Sequence, residues 1–164
     1  MNWAYSHLLI NHFPIVGVII GTLLLIAGII FKNEGIKISA LGTIIFAALM
    51  TIVADLTGDP AREAVKGMPD IVGSLINRHE DMASVALYLI IPAGLMAVLT
   101  LYSIWKKERS VNFLLIFALA LSLISCVAMS YVGRTGGQIR HTEFRNDATK
   151  QYILEHQNDK AEED

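Results

Sequence analysis

The sequence predicts an all-α fold, an antiparallel bundle of four transmembrane helices with both termini on the outer face. The chain of 164 residues is 54% hydrophobic and only 17% charged, whereas an average soluble domain carries about 25% charged residues. The charged residues are also segregated, and they leave four apolar stretches of roughly the 20 residues that a helix needs to cross a bilayer. The four helices are predicted at residues 15–31, 36–56, 82–105 and 111–132.

The first apolar stretch is expected to stay in the protein as a helix. It has neither the basic segment nor the small-residue cleavage site of a signal peptide. Pro14 suits the first turn of this helix, or the helix begins near Ser6 and Pro14 kinks it. Gly17 and Gly21 lie four residues apart, a spacing that allows either another helix or a flat cofactor to approach the backbone closely.

Glycine and proline predict the ends of two further helices. Gly58 and Pro60 are expected to end or bend the second helix, with Asp59 as the N-cap of a new helix. The glycine-rich segment 133–137 is expected to end the fourth helix. Because Gly136-Gly137 allows a tight turn, the chain is expected to return over the outer end of the bundle.

The predicted organisation is one membrane domain, residues 1–144, followed by a charged C-terminal tail, residues 145–164. Residues 1–13 carry no Lys or Arg, while the two tight turns carry five basic residues, Lys32, Lys37, Lys106, Lys107 and Arg109. Basic residues close to helix ends favour the cytoplasmic side. The termini are therefore expected outside, in the periplasm for a bacterial inner-membrane protein. The net charge of −2 gives no basic face for nucleic acid.

Four histidines are predicted to lie at the outer end of this bundle. His7 and His12 precede the first helix, His79 precedes the third, and His141 follows the fourth. Imidazole is the commonest metal ligand in proteins and an axial ligand of haem iron, and helical bundles build such sites from facing helices. The sequence therefore predicts a metal centre, with haem b as the first hypothesis and His12 with His79 as the first choice of axial pair.

Charged residues are expected around these histidines. Asp59, Glu63 and Glu80 offer carboxylates that would bind a metal directly or orient a histidine. Asp59 and Glu63 would share one face of a helix. Arg140 is a candidate partner for haem propionates, because its planar guanidinium pairs bidentately with a carboxylate.

The sequence leaves three alternatives open. A zinc, copper or iron ion would be held by histidines with Asp59, Glu63 or Glu80. A cofactor-free subunit would use the polar end to dock a partner. Histidines at a membrane boundary also commonly anchor helix ends or form hydrogen bonds. Motifs of zinc proteases, covalent haem attachment, P-loops and serine hydrolases are absent from the sequence, so no catalytic residue is assigned.

Four short motifs resemble an uncharacterised family of four-helix bacterial membrane proteins with a His-rich "HFP" start. The motifs are H-x-x-x-x-H-F-P-I from His7, T-G-D-P-A-x-E from Thr57, H-E-D-x-A from His79 and T-G-G-x-I-R-H-x-E from Thr135. The matching positions are His7, His12, Asp59, Glu63, His79 and His141. Relatives occur with Rieske or cytochrome c domains, so the resemblance implies membrane electron transfer and b-type haem. It also implies a separate redox protein as the partner on the outer face.

Overall fold

The computed structural model describes residues 2–156, and every regular element among them is helical. The elements in chain order are α1 (Trp3–Ile10), α2 (His12–Ile30), α3 (Glu34–Val65), α4 (Gly73–Trp105), α5 (Val111–Arg140), a short 3-10 turn (Thr142–Phe144) and α6 (Asp147–Glu155). The all-α prediction is confirmed for this part of the chain. Residues 157–164 of the predicted charged tail lie outside the described residues.

Four stretches of helix are long and apolar enough to cross a membrane, as predicted. They are Trp3–Ile30, Glu34–Val65, Gly73–Trp105 and Val111–Arg140, with mean hydropathy between 2.1 and 2.7. We call the end of the bundle that carries His7 and His79 the histidine end. The opposite end, with the short connections at residues 31–33 and 106–110, is called the turn end.

The first span begins well before Pro14. Asn2 caps α1, because its side-chain oxygen accepts a hydrogen bond from the Tyr5 N–H at 3.3 Å. Asn11 keeps a right-handed helical backbone (φ −63°, ψ −20°) between α1 and α2. Pro14 lies in the first turn of α2, where a missing N–H costs little. The helical start thus precedes Ser6, and α1 with α2 forms one nearly continuous span.

Of the end or bend of the second helix predicted at Gly58 and Pro60, the end is wrong, while the bend stays a prediction. α3 continues five residues beyond Pro60, and Asp59, the predicted N-cap, lies inside it. A proline in a helix interior costs about 3 kcal/mol, because it removes one hydrogen bond and crowds the preceding turn. Tertiary packing offsets this cost: Thr57 is buried, and α3 packs on α1, α2 and α4.

The predicted stop at residues 133–137, with its return of the chain, is also wrong. The glycines stay helical and α5 continues to Arg140. Arg145 sets the end instead, since its guanidinium donates to the carbonyl oxygens of Gln138 and Ile139, each at 2.9 Å. These carbonyls belong to the last turn of the helix, which has no intrahelical donors left.

Glycines allow α2 and α3 to pack closely. A Cβ added at Gly21 would lie 3.2 Å from the backbone nitrogen of Ile44, and one added at Gly28 would lie 2.9 Å from that of Lys37. Gly17 also faces α3. The spacing of Gly17 and Gly21 therefore serves helix packing, because α3 fills the space that a flat cofactor would need.

Two apolar clusters fill the interior between the ends. The cluster towards the turn end consists of Leu25, Ala40, Leu41, Ile44, Ala93, Ala97, Leu115 and Ala118. The cluster nearer the histidine end consists of Val18, Ala47, Ala48, Ala86, Ile90, Met129 and Val132. Large apolar side chains such as Leu23, Ile116 and Val127 point outward and are more than 60% exposed, as expected for a lipid-facing surface.

Candidate functional site

The structure brings two of the predicted histidines together. The ring centroids of His7 on α1 and His79 on α4 are 6.5 Å apart, and the ring planes are nearly perpendicular at 86°. Both side chains are half-buried. Since a metal–nitrogen bond is about 2 Å long, two imidazoles on opposite sides of one metal have centroids about 6 Å apart. The observed centroid separation of 6.5 Å is close to this value.

His7 is anchored on α3 through one ring nitrogen. Its Nδ1 lies 3.1 Å from the carbonyl oxygen of Ala54 and 3.0 Å from the hydroxyl oxygen of Thr57. A carbonyl oxygen only accepts, so Nδ1 carries a proton and donates. The Thr57 hydroxyl donates to the same carbonyl at 2.9 Å, which leaves its oxygen to accept from His7. A neutral His7 therefore keeps its lone pair on Nε2.

A matching arrangement anchors His79 on α5. Its Nδ1 lies 3.2 Å from the hydroxyl oxygen of Thr135. That hydroxyl has backbone acceptors in the preceding turn, the carbonyl oxygens of Tyr131 at 3.0 Å and Val132 at 3.1 Å. When the Thr135 proton is donated to one of these carbonyls, its oxygen can accept from Nδ1 of His79, which then keeps its lone pair on Nε2. Metal-binding histidines commonly bond a protein oxygen through one nitrogen and the metal through the other.

Each of the two rings also faces a glycine. A Cβ added at Gly58 would lie 4.0 Å from Cε1 of His7, and one added at Gly136 would lie 3.1 Å from Cε1 of His79. The second distance is shorter than an ordinary van der Waals contact, so a larger residue at position 136 would displace the ring. Sequence reasoning assigned these glycines to helix ends and missed this role. The signal was present in the repeated Thr-Gly pairs at residues 57–58 and 135–136.

His12 and His141 lie away from this pair. His12 is exposed, and its Nδ1 donates to the carbonyl oxygen of Leu8 one turn earlier, at 2.6 Å. The structure therefore places His7, rather than His12, beside His79. His141 is exposed at the end of α5, six residues or about 9 Å of helix beyond Thr135.

His141 has a local partner instead. Its Nδ1 donates to the carboxylate of Glu143 at 2.9 Å, and its ring lies 5.1 Å from that of Phe144. The pKa of Glu143 is lowered, first by a hydrogen bond from its own backbone N–H and then by the His141 side chain. The expected return of His141 towards the other histidines does not occur, because α5 stays helical through Gly136 and Gly137.

The predicted carboxylates do not converge on the histidine pair. Glu80 on α4 forms a salt bridge with Arg62 on α3, and Arg62 also donates to Asn77 at 3.0 Å. Glu63 lies 3.9 Å from Lys66, the residue that follows its helix, and Asp59 is exposed. Within residues 2–156, no group of three or more His, Cys, Asp or Glu side chains is arranged to hold a metal ion. Arg140, the predicted propionate partner, is exposed at the end of α5.

Within residues 2–156, two buried side-chain oxygens have no hydrogen-bond partner. Oδ1 of Asn11 is buried and unpaired, as is Oγ of Ser74 at the start of α4. Asn11 follows His7 by four residues, so both side chains lie on the same face of the first span. A buried acceptor without a donor is costly, at about 1–3 kcal/mol. Among the described residues, the Asn11 oxygen thus lacks a partner on the helix face that also carries His7.

Comparisons of the chain with protein-family profiles, curated proteins and solved structures find no match. The fold and the site define the protein as a helical bundle with four candidate membrane spans. Its distinguishing feature is the pair of apposed histidines at one end, each held by a threonine of another helix.

Proposed function

We propose that this protein is a membrane haem b module for electron transfer, with His7 and His79 as the axial ligands. The apposition of the two rings, with a free Nε2 lone pair on each, carries this proposal. Haem iron receives four nitrogens from the porphyrin and needs only two more ligands from the protein. Zinc and most non-haem ions take three or more protein ligands. A pair of histidines is therefore a sufficient protein contribution for haem.

The chain's own residues have distinct roles in this proposal. His7 and His79 bind through Nε2, and Thr57, Ala54 and Thr135 hold the opposite ring nitrogens. A bound haem would supply one-electron redox chemistry. A propionate would pair with Arg140, which is exposed at the same end of the bundle.

The proposed orientation places the histidine end in the periplasm of a bacterial inner membrane. The bundle would be antiparallel, with both termini on that side. Basic residues close to helix ends favour the cytoplasm, and the turn end carries Lys32, Lys106 and Lys107 there. The electron partner would be a separate redox protein on the outer face. The resemblance to the "HFP" family, whose relatives occur with Rieske or cytochrome c domains, supports this partner.

The unpaired oxygen of Asn11 favours a second candidate function. A copper, iron or zinc ion would bind the two Nε2 atoms together with an oxygen ligand, and Oδ1 of Asn11 lies on the same helix face as His7. Imidazole suits all three metals. Asp59, Glu63 and Glu80 would take part only after leaving their present positions.

The test is the haem and metal content of detergent-purified protein from haem-replete cells, compared with four single variants. His7→Ala and His79→Ala are each expected to lose at least about tenfold in bound haem, because each removes an axial ligand. His12→Ala and His141→Ala are the matched controls. They are expected to keep the wild-type haem content, because both side chains are exposed and lie away from the pair.

The other possible haem and metal contents distinguish the remaining candidate functions. Stoichiometric metal without porphyrin, lost in the same two variants, would favour the second candidate. Loss of haem in His12→Ala and His79→Ala, but not in His7→Ala, would restore the axial pair predicted from the sequence. Wild-type protein with neither haem nor metal would overturn both candidates and favour a cofactor-free subunit.

A further inference from the structure

Two Thr-Gly pairs hold the two central histidines in the same way. On α3, Thr57 accepts from Nδ1 of His7, while Gly58 faces the Cε1 edge of the ring. On α5, Thr135 and Gly136 make the same two contacts with His79. Each histidine therefore lies on one helix and is oriented by a Thr-Gly pair on another. The repetition links four different helices at the histidine end.

We propose that Thr57-Gly58 and Thr135-Gly136 are positioning residues that fix His7 and His79 as Nδ1–H tautomers, so that both Nε2 atoms are available to a metal. The identity of the bound group rests on the proposed function. The tautomer itself does not, because it follows from hydrogen bonds within this chain.

The two threonines can accept from the histidines because backbone carbonyls are available to take their hydroxyl protons. A free hydroxyl could donate to Nδ1 and so stabilise the opposite tautomer. Thr57 donates to the carbonyl of Ala54 at 2.9 Å, and Thr135 has the carbonyls of its preceding turn. With its proton donated to a carbonyl, each threonine oxygen is left to accept from the ring. Both threonines are at least 92% buried, so water competes little for these bonds.

Gly136 completes the arrangement at His79 by leaving room for the ring, whereas a Cβ at Gly58 would make only an ordinary contact with His7. The space is tighter at His79, where a Cβ at position 136 would lie 3.1 Å from Cε1 and 3.3 Å from Nδ1. At His7 the corresponding distance from Gly58 is 4.0 Å. His7 also has the carbonyl of Ala54 as a second acceptor at 3.1 Å. Val132 also offers His79 a backbone carbonyl, but outside the hydrogen-bond geometry that Ala54 meets for His7. The tautomer of His79 therefore depends more strongly on Thr135 than that of His7 depends on Thr57.

The direct test is ¹⁵N NMR of histidine-labelled protein in detergent, prepared without cofactor, which distinguishes Nδ1–H from Nε2–H rings. Both His7 and His79 are expected as Nδ1–H in the wild type. In Thr135→Val, His79 loses its acceptor oxygen and is expected to populate the Nε2–H form. Thr135→Ser keeps the hydroxyl and is expected to restore the wild-type spectrum. Thr57→Val is expected to cause a smaller change at His7, because Ala54 still accepts.

Thr51→Val is the matched control. Thr51 is also buried on α3 and its hydroxyl bonds the carbonyl of Ala47 at 2.9 Å, in the membrane interior away from both histidines. This variant loses the same kind of hydroxyl and is expected to leave both histidine tautomers unchanged.

Binding gives the second readout. For Thr135→Val we expect haem or metal affinity to fall by about 10–100-fold, the usual effect of removing a group that orients a ligating histidine. A wild-type His79 found as Nε2–H would overturn the proposal without any variant. An unchanged His79 tautomer in Thr135→Val would overturn it as well. Wild-type protein that shows both Nδ1–H rings and binds neither haem nor metal would refute the proposed function and leave the tautomer assignment intact.

Discussion

The two ends of the bundle differ in how far apart along the chain their polar partners lie. At the histidine end, beside local bonds such as that of His141 with Glu143, three polar contacts join different helices. His7 bonds Thr57, His79 bonds Thr135, and Arg62 on α3 pairs with a carboxylate of α4. Each of these contacts joins residues that are at least 18 positions apart in sequence.

At the turn end, the polar contacts are local. Asn33 accepts from the N–H of Ile36 at 3.0 Å, and Glu108 accepts from the hydroxyls of Ser103 at 2.9 Å and Ser110 at 3.1 Å. All of them lie within five residues of each other along the chain. Such contacts cap a helix or close a turn. The histidine end, by contrast, gathers side chains from separate helices at one place, which is what a binding site requires.

The largest expected loss of stability comes from a substitution that damages the turn end alone. A Cβ in Gly28→Ala would lie 2.9 Å from the backbone nitrogen of Lys37, so α2 and α3 must separate. We expect a loss of about 1–3 kcal/mol in the free energy of unfolding, measured by denaturant titration in detergent. Haem content should stay at the wild-type level. Gly42→Ala is the control, because a Cβ there meets nothing within 4 Å.

A loss of bound haem in folded Gly28→Ala protein would show that the two ends are not independent. Destabilisation in Gly42→Ala as large as in Gly28→Ala would mean that close packing of α2 on α3 is not the cause.

The second substitution acts on the histidine end. In Gly136→Ala the new Cβ would displace the His79 ring. A side-chain ring can move more easily than the Lys37 backbone that a Cβ at position 28 would contact. We expect a destabilisation at the lower end of about 1–3 kcal/mol, together with a roughly tenfold loss of haem affinity. Gly133→Ala on the same helix is the control, since its Cβ would make an ordinary contact at 3.5 Å with Ile15. Equal haem affinity in the two variants would contradict the role assigned to Gly136.

The smallest expected effect belongs to the salt bridge between α3 and α4. Arg62→Ala removes the bonds to Glu80 and Asn77, but these side chains are partly exposed. We expect a loss of about 0.2–1 kcal/mol in the free energy of unfolding, and less at high salt. Lys66→Ala, which breaks only a local contact with Glu63 at the end of α3, should cause no measurable change. A loss that does not depend on salt would show that packing of the Arg62 side chain, and not charge, accounts for it.

The contrast between local contacts at the turn end and contacts between helices at the histidine end also explains which helix boundaries could be predicted from the sequence. At the turn end the predicted helix boundaries agree with the structure to within two residues, as at Ile30, Trp105 and Val111. At the histidine end α3 runs to residue 65 instead of 56, and α5 to 140 instead of 132. Local signals decide the first case. In the second, packing of α3 on other helices and, for α5, the bonds from Arg145 to the last carbonyls override them.

The site was predictable only in part. The histidines precede or follow apolar stretches, so their position near one end of the bundle could be inferred. Which two of them meet depends on the rotation of each helix and on the packing of α1 against α3, and no local pattern encodes either. The Thr-Gly repeat would have singled out residues 57 and 135 as related positions. It would not have identified His7 and His79 as their partners.

The absorption spectrum of the detergent-purified protein, oxidised and then reduced with dithionite, tests the central claim most directly. A haem held by His7 and His79 predicts a Soret band and, on reduction, the sharp α and β bands of low-spin haem b with two histidine ligands. Protein purified from haem-replete cells that shows no Soret band would contradict the account.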